Sequence, residues 1–426
     1  MTSRSPSLRN LKAPSLLLAS LLLATACASA PTRPPVSIGT GQPRVDPVTG
    51  ERLPEDAVIE ETTPEDFVRG DGGLTPAFML GRDVKRAAVL LPFSHPNASV
   101  RSEAESMLAG VELALFENGG TDFLIMPMDT AGRASTAEAR ADEALKEGAD
   151  IILGPLFAAN VIPVKEAALR KSVPVVAFSN DRTVAGGGAY LASVMPEEEV
   201  VRIMNYAASR GTRTFAFLGP DSAYGRQVEA ALRAEALKNG WTVIGSGFYD
   251  PSGNANSEVA RIAGLIKAER SQVGLLIPER STKLLSIAPV LVVNGVDPGQ
   301  TRFLGTSLWD DSGIWREPAL AGALYSVVDP DNMSSFKDTY TRIYGRAPTD
   351  LAAAAYDAAS LAITLSGEQN IKHGGVTDPD GFLGVNGLFR FRLDGTSERS
   401  LAVKEIRSSG ASVVEKGVTR FPPGGS

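Results

Sequence analysis

From Ala87 onward the chain alternates short, continuous apolar runs with longer segments whose apolar positions recur every three to four residues. Ala87-Ala88-Val89-Leu90-Leu91-Pro92-Phe93 has no polar face, the pattern of a strand buried on both sides. Val100, Ala104, Met107, Leu108, Val111 and Leu115 then fall at helical spacing and stop at Asn118-Gly119-Gly120, a helix-ending sequence. The same reading predicts strands at 123–128, 151–153 and 173–178, separated by helices at 135–147 and 159–170. The rhythm then restarts. Helices are predicted at 197–209, 224–239, 257–269 and 283–293, and strands at 214–218, 242–248, 273–277 and 302–305. Repeated βα alternation implies parallel strands joined by right-handed crossovers. Two such runs in tandem predict an α/β protein of two doubly wound parallel-sheet lobes. From about residue 327 two more helices (333–344 and 351–365) precede a β-pattern at 387–391 and 400–406. The run Ala352 to Ala355 predicts a helix packed closely against a neighbour.

The N-terminal part is different material. Basic residues (Arg4, Arg9, Lys12) are followed by an apolar run at 16–23 and by Ala24-Thr25-Ala26-Cys27. That is the order of an export signal, and the run is too short to span a bilayer, which takes about 20 residues. Small residues before a cysteine resemble a lipobox, with Ala24 where leucine is commonest. On this reading residues 1–27 are a lipoprotein-type signal peptide and Cys27 is lipidated. Ala28-Ser29-Ala30 also fits ordinary secretion. Residues 28–83 are rich in Pro and in acids and lack periodicity, so they are expected to be a disordered tether. About 50 residues of flexible coil reach about 40 Å on average. The expected globular region is 84–410, with a flexible tail at 411–426. Within it, lobe 1 is expected at about 84–192 and 327–381, and lobe 2 at about 193–324 and 382–410.

Composition narrows the function classes. Cys27 is the only cysteine, so the body is expected to hold together without disulfides. A formal net charge of −7 and no long basic run argue against a nucleic-acid partner. There are two histidines, His95 and His373, and neither a metal-binding H-E-x-x-H, a phosphate-binding G-x-x-x-x-G-K-S/T nor a nucleophile G-x-S-x-G occurs. Gly186-Gly187-Gly188 reads as a loop. The chain is therefore expected to be a binding protein rather than an enzyme, with no cofactor and no metal.

Residues 84–407 resemble the type I periplasmic binding fold, in the branch of the leucine/isoleucine/valine-binding proteins. The resemblance is carried, in order, by Leu91-Pro92-Phe93, Ala109-Gly110-Val111-Glu112-Leu113-Ala114 and Ala149-Asp150-Ile151-Ile152-Leu153-Gly154-Pro155. It continues with Val173-Pro174-Val175-Val176-Ala177-Phe178-Ser179, Asp221-Ser222-Ala223-Tyr224-Gly225, Gly384-Val385-Asn386-Gly387 and Phe389-Arg390-Phe391. It implies two lobes joined by a hinge, with an interlobe cleft for a small polar ligand such as an amino acid or peptide. A subgroup of similar organisation comprises lipoproteins that activate penicillin-binding proteins, and the tether suits that subgroup. The implied partners are thus an ABC permease or a penicillin-binding protein, and a membrane through the lipid. The implied location is the periplasm, anchored to the outer rather than the inner membrane.

In open α/β sheets ligands bind beyond the carboxyl ends of the strands. That selects Ser94, Leu156, Phe157, Ser179, Asn180, Tyr224, Glu279, Ser307 and Trp309 as candidate ligand-binding residues. In the resembled receptors the loops at 154–157 and 178–180 hold an α-carboxylate, and a carboxylate after the strand Phe303-Leu304-Gly305 holds the α-amine. Here Leu156 and Phe157 stand where a hydroxyl is expected, and Thr306-Ser307-Leu308-Trp309-Asp310 lacks the acid at its start. Plain roles are open as well. Tyr224 can pack a helix start, Trp309 can be core, Asp310-Asp311 can cap a turn, and Asp129 can be a cap or surface carboxylate.

Overall fold

A computed structural model describes residues 9–10, 67–70 and 73–421. The expected signal peptide apart from Arg9-Asn10, Cys27 and the expected tether up to residue 66 lie outside the described residues. Within the expected tether, Phe67–Gly70 and Gly73–Pro76 form an antiparallel hairpin, in a unit separate from the main one. The main unit runs from Asp83 to the C-terminus, with Arg9-Asn10 paired to its strand at Phe382–Gly384.

The first sheet is built from β1 (Lys85–Leu91), β2 (Phe123–Asp129), β3 (Ile151–Leu153), β4 (Val175–Ala177) and β5 (Ala189–Leu191), all parallel in the order β2-β1-β3-β4-β5. Its strands are apolar throughout because both faces are covered. Ala87, Val89 and Leu91 point into a core shared with α1 (Ala98–Asn118), α8 (Pro330–Tyr344) and α9 (Asp350–Gly367). Ala88 and Leu90 point into the opposite core, under α2 (Ala134–Lys146) and α3 (Ala158–Leu169).

The second sheet contains β6 (Thr214–Pro220), β7 (Thr242–Tyr249), β8 (Val273–Leu276), β9 (Thr301–Gly305) and β10 (Leu324–Val328), in the parallel order β7-β6-β8-β9-β10. Ala216 and Leu218 face the core with α6 (Asn256–Ala268) and α7 (Ser281–Val293). Phe215 and Phe217 face α4 (Pro196–Ser209) and α5 (Ala223–Asn239). Each sheet is therefore doubly wound, as the alternation predicts.

The C-terminal region departs from the expected boundaries. After the short α10 (His373–Val376), β11 (Phe382–Gly384), β12 (Gly387–Phe391) and β13 (Ser397–Arg399) form a small antiparallel sheet. Phe382, Val385, Phe389 and Phe391 are buried in the first lobe's core, so residues 382–399 belong there and not to lobe 2. Only β14 (Leu401–Arg407) crosses over, pairing antiparallel with β10. The expected tail begins instead as a strand, β15 (Gly410–Glu415), on the edge of the second sheet. Residues 422–426 lie outside the described residues. The chain thus passes between the lobes three times, between β5 and α4, between β10 and α8, and between β13 and β14.

Candidate functional site

The loops that leave the carboxyl ends of β1, β3, β4, β6, β8 and β9 form two rims. In the first lobe, the loop after β1 turns back on Asp129. The Ser94 backbone N–H and hydroxyl both donate to that carboxylate, as does the Ala131 N–H. Burial works against the charge of Asp129, but these hydrogen bonds outweigh it and hold the carboxyl below its ordinary range. Asp129 is therefore the anchor of the loop that carries Ser94. His95 accepts the Asn97 N–H at Nδ1, which leaves its proton on Nε2, and its ring lies 5.5 Å from that of Phe157. Leu156 packs against the first lobe's core. Ser179 is buried, and its hydroxyl oxygen accepts the Asp181 N–H at 3.1 Å, which fixes the turn after β4. Among the described residues the Ser179 hydroxyl proton meets no hydrogen-bond acceptor.

In the second lobe, Ser222 caps α5 by accepting the Gly225 N–H, and this sets Tyr224 in the first turn. The Tyr224 hydroxyl lies 3.1 Å from that of Thr306. Burial, and next the charge of Glu199, raise the pKa of Tyr224, so it stays protonated. Glu279 accepts the Tyr249 hydroxyl proton at 2.6 Å, and Lys283 Nζ sits 5.3 Å from the centre of that tyrosine ring. Ser307 opens a short turn after β9, and its N–H donates to Glu199 at 2.6 Å.

Trp309 does not roof the cleft. Its side chain is 0 % exposed, the indole N–H donates to the Ile277 carbonyl, and the ring lies against the backbone of Gly305, where a Cβ would overlap it. A large apolar ring gains more from burial than from a place at a wet rim, and here its one polar atom finds a partner inside. Asp310 is drawn away as well, accepting from the Tyr325 hydroxyl and pairing with Lys404. Asp311 accepts the Gly313 N–H at 2.8 Å, the capping role open to it.

Among the described residues, Asn180 is the one candidate bonded to the opposite lobe: its carbonyl accepts from Gln227, whose amide also donates to Glu197. Three side chains at the rims escape the sequence reading: Gln227, Tyr249 and, above all, Glu199. Glu199 is buried in the first turn of α4, next to the first crossover. Burial pushes its pKa up to about 7; the Ser307 hydrogen bonds oppose the shift, and the charges of Glu198 and Asp350 add to it. Asp350 belongs to the first lobe, so Glu199 feels acids from both sides. Among the described residues no Lys or Arg forms an ion pair with it, and no cluster of three His, Cys, Asp or Glu side chains is disposed to hold a metal.

Residues 86–380 match the model of a family described as periplasmic binding protein. No curated protein sequence matches the chain. Similar solved structures include a branched-chain amino-acid ABC transporter periplasmic ligand-binding protein from Burkholderia xenovorans LB400 (TM-score 0.63, 17% identity, 78% of this chain and 95% of that one). A leucine-binding protein from Thermotoga maritima MSB8 aligns with a TM-score of 0.54 at 16% identity, over 80% of this chain and 99% of that one. An ABC-transporter solute-binding protein from Rhodopseudomonas palustris BisB5, in complex with 3,4-dihydroxybenzoic acid, aligns with a TM-score of 0.55 at 14% identity, over 81% and 100%. At these identities the likeness is one of fold.

Proposed function

We propose, on the premise that the chain belongs to the periplasmic binding protein family, that it is a solute-binding lipoprotein whose cleft takes a small polar ligand and delivers it to an ABC permease. The observation that carries this reading is the pair of polar rims at the carboxyl ends of two doubly wound sheets, linked by three crossovers. Such a connection supports hinge closure, and closure follows when a ligand binds the closed state better than the open one. A leucine-binding relative and a dihydroxybenzoate-binding one make a small organic acid or amino acid the class to try first. Family membership implies the periplasm. The lipid on Cys27 and the choice of outer over inner membrane belong to the proposal and rest on the order of residues 4–27.

Calorimetry on the full chain, with amino acids, benzoate-type acids and muropeptides, tests the proposal. A saturable ligand is expected. Ser179→Ala should weaken it, since losing one hydrogen bond to a charged group costs about 1.5–3 kcal/mol, or about 10- to 150-fold in affinity. A second reading, a lipoprotein that activates a penicillin-binding protein, is favoured by one feature. Trp309 turns into the core and Asp310 is engaged by Tyr325 and Lys404, so neither is offered to a ligand. No binding of any small molecule, together with capture of a cell-wall synthase, would replace the first reading by the second.

A further inference from the structure

The amino ends of the strands in the second sheet lie at the end opposite to the cleft rim, and charge gathers there where the core runs out. Leu304, Leu324 and Val403 are buried in the core against α4 and α5. Successive side chains of a strand point to opposite faces. Arg302, two residues before Leu304, therefore shares that face, as do Glu405 and Arg407, two and four residues after Val403. Pairing brings the strands into line, with Leu304 beside Leu324 and Leu324 beside Glu405. Arg302 and Arg407 thus stand past the last apolar layer, one on β9 and one on β14. The C-terminal end of α4 adds Tyr206 and Arg210, four residues apart and so on one side of the helix. The Arg210 guanidinium lies 5.3 Å from the centre of the Tyr206 ring. These side chains line a cavity of about 600 Å³, inside the range of small-molecule sites, about 300–1,000 Å³.

The charges of this cavity do not cancel. Glu405 pairs with Arg407 at 2.8 Å. Among the described residues the side chains of Arg210 and Arg302 form no hydrogen bond and no ion pair, and Nε of the half-buried Arg302 is itself buried without a partner. Against three guanidiniums stand Glu405 and about half a negative charge from the C-terminal end of α4, so the balance stays positive. One guanidinium suffices for the two oxygens of a carboxylate. Several that converge suit a phosphate, which offers three oxygens and up to two charges. We infer that this cavity is a second binding site, for a phosphate group held by Arg302 and Arg210 with Arg407 at its edge. The phosphate belongs to a free phosphorylated solute or to an anionic lipid headgroup, which share the recognised chemistry. The five residues of β9, about 16 Å of strand, separate the cavity from the loop of Ser307 at the cleft. Occupancy of one site is therefore expected to leave the other open.

The test uses the full chain, with inorganic phosphate and glycerol 3-phosphate followed by calorimetry, and with vesicles of phosphatidylglycerol or phosphatidylcholine followed by flotation. Arg302→Gln and Arg210→Gln are compared with Arg140→Gln, which removes an exposed charge from the first lobe. If the phosphate is that of a free solute, saturable binding is expected that weakens as salt is added. It should fall about 10- to 150-fold in Arg302→Gln and in Arg210→Gln, and hold in Arg140→Gln. If a lipid carries the phosphate, the free phosphates give no heat. The excess of binding to phosphatidylglycerol over phosphatidylcholine should then fall in the two pocket variants alone. Any contribution of the N-terminal apolar run is common to all variants and drops out of that comparison. Binding to neither the free phosphates nor, in excess, to phosphatidylglycerol would overturn the assignment. So would binding that the pocket variants leave unchanged, or that Arg140→Gln weakens as much, because net charge alone would then account for it. Arg210 sits at an exposed helix end, so Arg210→Gln decides the matter even where Arg302→Gln fails to fold.

Discussion

Glu199 stands third in the run Glu197-Glu198-Glu199, and such a run at a helix start ordinarily reads as solvent-facing acids complementing the helix dipole. Nothing in the local pattern marks the third acid as buried, because its cover comes from Ser307, 108 residues later. Tyr224 was legible, since Ser222 and Gly225 announce the capped helix start that positions it. Trp309 was legible only as an aromatic on a loop, and the choice between rim and core is made by distant strands. Burial of Glu199 has a measurable consequence. Its folded pKa, about 7, lies above the ordinary 4.5, so the folded state holds the proton more tightly than the unfolded chain. The stability it confers is whole below about pH 4.5 and is lost as pH rises through about 7, roughly 3 kcal/mol in all. Glu199→Gln should therefore match the wild type in urea denaturation near pH 4.5 and exceed it at pH 8. Parallel stability curves for the two proteins across that range would show that the carboxyl is not held as described.

The helices and central strands were readable because their apolar positions face two cores at fixed periods, and α1, α5, α7 and α9 fall within a few residues of their predicted spans. Apart from the buried, apolar β10, the strands that escaped prediction are short or polar. β5 is three residues long, β13 reads Ser397-Glu398-Arg399, and β15 lies on a half-exposed edge. For such strands pairing, rather than pattern, decides the conformation. The alanine run at 352–355 did announce a close approach, and Gly110 on α1 is its counterpart. A Cβ at Gly110 would lie 2.3 Å from the Ala352 carbonyl oxygen. Two effects of Gly110→Ala then oppose each other. Helix propensity favours alanine by about 1 kcal/mol, while forcing α1 off α9 costs about 1–3 kcal/mol or more. Packing should win, and the variant should melt lower. Gly264, exposed on α6 with open space around it, supplies the control: Gly264→Ala should melt slightly higher. Equal gains at both positions would mean that α1 and α9 are not in backbone contact.

The two lobes were legible as two runs of βα alternation, but the last crossover was not. Residues 382–399 read as generic β-pattern, and only the burial of Phe382, Phe389 and Phe391 assigns them to the first lobe. That assignment places Arg399 at the third crossover, and its surroundings tie the crossovers together. Its guanidinium is buried, donates to the Ala192 carbonyl at the first crossover, and lies 4.8 Å from the centre of the Phe389 ring. Two buried acids bear on it. Glu198 caps the start of α4, accepting the Met195 N–H, and Asp357 of α9 holds the turn at 385–386 through Val385 and Asn386. Burial raises the pKa of both carboxyls, and Arg399 is the first influence opposing it. The arginine thus opposes the effect of burial on one acid from each lobe at the hinge, although it forms a direct ion pair with neither. Replacing it by an apolar residue of similar length removes the main charge that opposes the burial of both carboxyls, and breaking a buried charge arrangement of this kind costs about 3–5 kcal/mol. Both folded pKa values would then rise further above the unfolded ones, so the lost stability should grow as pH increases and shrink toward pH 4. Urea denaturation of Arg399→Met is expected to show a large deficit at pH 8 and a smaller one at pH 5. Glu198→Gln in the same background should return part of the deficit at pH 8, because it removes one of the two carboxyls. If Arg399→Met is as stable as the wild type at pH 8, the hinge is held by packing alone and the buried charges play no part in it.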